Sequence, residues 1–205
     1  DRLQVLGALL LVLCFDLGLV FAGPPTDAER ASEKPASRLR RLEALLCGAE
    51  AAGSFNELGM AVLRDQVTGL LVLRLQVEDW YRRHPEIDQQ EILPPLFGLG
   101  LPRTGSTALS FLLTEDPRFR SLRAWESGTP TPPPDPATHE TDPRIATAAA
   151  NMALIDEMAP KFKSMLPTSP TGPTERLQIL ALDFRSAMFG ALGDNRRYEA
   201  WMAGC

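Results

Sequence analysis

Apolar and polar positions change rhythm several times along this chain, and each change marks a predicted element. Residues 1–22, DRLQVLGALLLVLCFDLGLVFA, form an apolar run with Arg2 ahead of it and Asp16 inside it. The run fits a signal peptide or a membrane anchor, but a charge near the middle of a spanning helix costs about 2.5–3.5 kcal/mol on insertion scales. It is read here as a buried or terminal segment of a cytoplasmic protein, with membrane association through residues 3–22 as the alternative. The stretch GPPTDAERASEKPAS has no period and reads as a linker, so that residues 1–36 are an apolar segment plus linker. Ser37 is then expected to cap a helix running to about Gly48, with Leu39, Leu42, Leu45, Leu46 and Ala49 as its apolar stripe. A longer helix is predicted from about Ser54 to Arg83 on Leu58, Val62, Val67, Leu70, Leu71, Val77 and Trp80, ended by Pro85. Trp80 and Tyr81 are assigned to core packing, and His84 to the C-terminal cap.

The segment ILPPLFGLGL is short, apolar and punctuated by Pro and Gly, as expected of a buried strand entering a tight loop. From Thr107 the pattern TALSFLLTEDP turns helical and stops before Pro117. The piece FRSLRAWE is expected to be a second strand ending near Glu126. Beyond it SGTPTPPPDP must be an extended loop, because each Pro lacks a donor and restricts its predecessor. Helical patterns resume at about 143–165, 174–192 and 195–202, with Leu177, Leu180, Phe184, Met188 and Leu192 as a core stripe. No internal repeat is visible.

Composition narrows the function classes. The 205 residues are 44% apolar and 23% charged, an ordinary globular balance, and the net charge of −5 argues against a general nucleic-acid binder. Cys14, Cys47 and Cys205 are widely spaced with no CxxC or Cys/His grouping, so neither a disulfide framework nor a metal site is expected. The chain begins at Asp1 and stops at YEAWMAGC just after a helical pattern, and is expected to be truncated at its C-terminus.

The chemistry concentrates in residues 99–113, LGLPRTGSTALSFLL. A strand that ends in a glycine loop and opens a helix aims backbone N–H groups and the positive end of the helix dipole at one place, which suits an anion. Gly100 and Gly105 have the G-x-x-x-x-G spacing of a nucleotide phosphate loop, and Thr107 stands where the magnesium-binding hydroxyl would be. The Lys of that motif is replaced by Ser106, and Arg103 supplies a cation two residues before the second Gly instead.

LPRTGST resembles the 5′-phosphosulfate-binding loop of sulfotransferases that use 3′-phosphoadenosine-5′-phosphosulfate (PAPS), written PKSGTT or PRSGTT. The resemblance continues through RHPEI, DPRFRSLRAWE, the Pro-rich loop, DPRI, ALDFRSAMFG and YEAW, in the order of a mainly bacterial branch. It implies an α/β fold, a P-loop-like parallel sheet flanked by helices, incomplete here and preceded by an N-terminal helical region. Residues 37–205 would be the sulfotransferase-like domain, with 37–90 a helical lead-in and 92–205 a partial α/β core. It also implies that Thr104, Gly105, Ser106 and Thr107 cradle the 5′-phosphate and that Arg103 stabilises charge on the bridging oxygen as the sulfuryl group leaves.

The partners it implies are a nucleotide co-substrate and a small-molecule or lipid-like acceptor with a hydroxyl or amine, without metal. Sulfuryl transfer needs a base, and Glu126, at the end of the apolar LRAWE, is the candidate, with an exposed Glu opening a Pro-rich loop as its bland reading. His139 is the more obvious acceptor by its ordinary pKa but lies in the polar PATHETDPR. The family's Arg and Ser for the 3′-phosphate have no convincing counterpart before Cys205, and its usual His is absent from KFKSMLPTSPTGPTE. Two other readings remain: a divergent P-loop kinase or NTPase, and a non-catalytic truncated relative.

Overall fold

The structure, a computed structural model, describes residues 35–53, 55–90, 96, 98, 104–161 and 168–203. In chain order the helices are α1 (Pro35–Ala52), α2 (Glu57–Arg83), α3 (Ser106–Thr114), α4 (Ala124–Gly128), α5 (Arg144–Met158), α6 (Leu177–Ala181), α7 (Met188–Ala191) and α8 (Arg196–Ala203), with a 3₁₀ turn at Pro85–Gln89. The described residues fall into two compact units, those of 35–88 with 177–203 and those between 89 and 176.

The first unit is built on the i, i+4 spacing of α2. Leu63, Val67 and Leu71 lie on one face of it, and they bury against Leu42, Leu45 and Ala49 of α1 together with Ala181, Phe184, Phe189 and Tyr198. Each such Leu or Phe contributes about 1.5–3 kcal/mol by leaving water. Both ends of α2 are fixed locally. Asn56 Oδ1 accepts the Gly59 N–H at 2.8 Å, and the His84 N–H closes the other end on the Trp80 and Tyr81 carbonyls at 3.0 and 3.3 Å. Trp80 does not enter the core as expected. The His84 ring stacks on it at 4.3 Å, and Tyr81 is 48% exposed.

One helix was expected over 174–192, but the chain breaks between α6 and α7, where Phe184 takes a left-handed φ of 54°. The buried Tyr198 hydroxyl holds that break. It lies 2.8 Å from the Phe184 carbonyl and 3.1 Å from that of Ser186, to either of which it donates, and it accepts the Ser186 N–H at 3.1 Å. Asn195, 1% exposed, joins α8 to α1: its Nδ2 donates to the Leu45 carbonyl at 2.8 Å and its Oδ1 accepts the Tyr198 N–H at 3.2 Å. Gly48 makes room for it, since a Cβ there would collide with Asn195 Oδ1.

In the second unit the expected strand FRSLRAWE is not formed. Only Arg123 pairs, in an isolated antiparallel bridge with Pro173, and the chain turns at Ala124 into α4, so that Glu126 lies in a helix. The reason is local. Glu126 Oε2 accepts the Arg123 N–H at 3.0 Å, while the Ser127 N–H bonds the Arg123 carbonyl at 3.1 Å, closing a helical turn where a strand would need outward-facing donors.

The backbone of 170–174 runs beside this turn. Ala124 donates to Gly172 and Trp125 to Pro170, both at 3.1 Å, and Thr174 donates to Leu122 at 2.9 Å. Gly172 also faces α3, where a Cβ would come 3.2 Å from Phe111 Cζ. Most of the expected strand ILPPLFGLGL, and residues 3–22, lie outside the described residues. Among the described residues no strand is formed, and no helix is long and apolar enough to cross a membrane.

Candidate active site

The glycine loop meets α3 at Gly105, which serves as N-cap with φ 89° and ψ 11°. A left-handed residue at this point lets the chain turn directly into the helix, and glycine adopts it without a Cβ penalty. The N–H groups of Ser106, Thr107 and Ala108 open the first turn and have no intrahelical acceptor, the first helical bond being Leu109 N–H to the Gly105 carbonyl at 3.0 Å. No side chain caps them, and no acidic residue stands in that turn. Ser106 is exposed and Thr107 half-buried, and both bring a hydroxyl to this first turn. Such a turn accepts an anion, and its loop provides no carboxylate to compete with one. Arg103 lies outside the described residues.

A second cluster gathers around α4. Glu126 is 3% exposed, and its Oε1 accepts from Arg120 Nη2 at 2.8 Å and lies 2.6 Å from His139 Nε2. The His139 ring is seated against buried Trp125, with ring centres 5.3 Å apart. Its other nitrogen, Nδ1, is 3.5 Å from Glu140 Oε1. Glu140 pairs with the Arg123 guanidinium at 3.0 Å, which pulls its carboxyl below the ordinary range. Arg144 lies over Trp125 at 4.7 Å and donates to the Thr129 and Pro132 carbonyls at 2.9 and 2.6 Å. Hydrogen bonds from the same guanidinium hold Asp142 down to about 2. Residues 129–142 are therefore pinned at both ends.

Of the residues singled out from sequence, Thr104, Gly105, Ser106 and Thr107 lie together at the start of α3. Glu126 and His139, 13 positions apart, are brought into contact. Neither matches its bland expectation, since Glu126 is buried rather than exposed and His139 sits in an anchored segment. Arg120, Trp125 and Arg144 were not anticipated. The only local signal for any of them was the D-P-R spacing that lets Asp142 grip Arg144. Among the described residues, no group of three or more His, Cys, Asp or Glu could hold a metal ion.

A family model described as the sulfotransferase family matches residues 94–204. The crystal structure of sulfotransferase STF1 from Mycobacterium tuberculosis H37Rv superposes with a TM-score of 0.70 at 28% identity, covering 82% of this chain and 46% of that one. Sulfotransferase STF9 from Mycobacterium avium gives a TM-score of 0.64 at 29% identity, over 78% of this chain and 47% of the other. The chain thus spans about half the length of these two proteins. No curated protein sequence matches it significantly.

Proposed function

The chain belongs to the sulfotransferase family, and from that premise we propose that it binds PAPS through residues 103–107 and transfers the sulfuryl group in line to a hydroxyl or amine of a small or lipid-like acceptor. The observation that carries this reading is the left-handed Gly105 at the mouth of α3, with Ser106 where a triphosphate-binding loop has its lysine. PAPS fits this opening by charge and by donor set: three amides of the first turn and two hydroxyls stand ready for the inner phosphate, with no carboxylate in that turn. When bound, the nucleotide supplies an activated sulfuryl group on a phosphate leaving group.

The chain's own residues then do three things. The amides of Ser106, Thr107 and Ala108 fix the phosphate. The Arg103 guanidinium neutralises charge that grows on the bridging oxygen. A base in the Glu126–His139 cluster takes the acceptor's proton. We place this work in the cytoplasm, or at a membrane surface if residues 3–22 anchor the chain, with no nucleic acid as partner.

Calorimetry decides between this reading and a divergent NTPase. PAPS and 3′,5′-ADP should bind without magnesium, and tight binding of magnesium–ATP alone would overturn the proposal. Arg103→Ala should lower turnover far more than it weakens PAPS binding, because its charge acts on the departing group. Near-normal turnover would remove that role.

A further inference from the structure

We draw no further inference here: the strongest candidate, the exposed apolar face of α5 formed by Leu154, Ile155 and Met158, carries nothing because nothing in the structure shows what covers it.

Discussion

Replacing Gly105 with alanine isolates what the loop's backbone contributes. Gly105 sits at φ 89°, and nothing lies within 4 Å of the place its Cβ would occupy, so alanine meets no clash. The cost is conformational, about 1–2 kcal/mol for a residue with a Cβ in the left-handed region. Either the chain keeps its shape and loses that much stability, or the loop relaxes and must be returned to shape whenever an anion binds. In the second case, the dissociation constant for 3′,5′-ADP rises about 5- to 30-fold, since 1.4 kcal/mol is a factor of ten.

Gly53 provides the control. It has φ 60° and equally empty surroundings, but it follows α1, far along the chain from the loop. Gly53→Ala should cost a similar amount in urea unfolding and leave nucleotide affinity unchanged. Gly105→Asn should fall between glycine and alanine, because asparagine tolerates this region better. Calorimetry with 3′,5′-ADP, paired with urea titration of all three variants, gives the full comparison. A Gly105→Ala chain with wild-type affinity and stability, or a Gly53→Ala chain that loses affinity as severely, would refute the assignment of the loop.

Tyr198→Phe removes the hydroxyl that accepts the Ser186 N–H and donates to the carbonyls of 184 or 186. Ser186 is fully buried, so its N–H is left without a partner at a cost of about 1–3 kcal/mol in urea unfolding. A loss below about 0.5 kcal/mol would show that the break at Phe184 does not depend on it. The Asp142–Arg144 pair makes a pH prediction. Asp142 titrates at about 2 when folded against an ordinary 3.8, so its contribution is complete above 3.8 and is lost as pH falls through about 2. The thermal midpoint of the wild type should therefore drop more steeply between pH 4 and pH 2 than that of Asp142→Asn, and parallel curves would exclude the pair as the cause.

The long helices were legible because their boundaries are written locally. Asn56 before Glu57 and Pro85 after His84 bracket α2 to within a few residues of the expectation. Its stripe was less legible: Leu58 and Val62 fit the same period as Val67 but are 72% and 57% exposed, since apolar residues surround this helix and only packing selects the face. FRSLRAWE failed for a different reason. Its apolar alternation fits a strand, but one hydrogen bond from the Arg123 N–H to the Glu126 carboxylate at 3.0 Å redirects the chain into a turn. The glycine loop that opens α3 was readable as a contiguous motif, with the helix starting at Ser106, one residue before the expected Thr107. The Glu126–His139 contact was not, because no short-range period spans a Pro-rich segment whose course is set by Arg144.

Gly172 carries one more consequence. Its carbonyl takes the Ala124 N–H at 3.1 Å, while its bare α-carbon faces the Phe111 ring of the helix that opens at the loop. A single residue without a side chain is thus the shared bearing of two helices. Any larger residue there would have to push the Phe111 ring aside or give up the bond to Ala124, so the packing of α3 against the turn that starts α4 depends on the absence of a single methyl group.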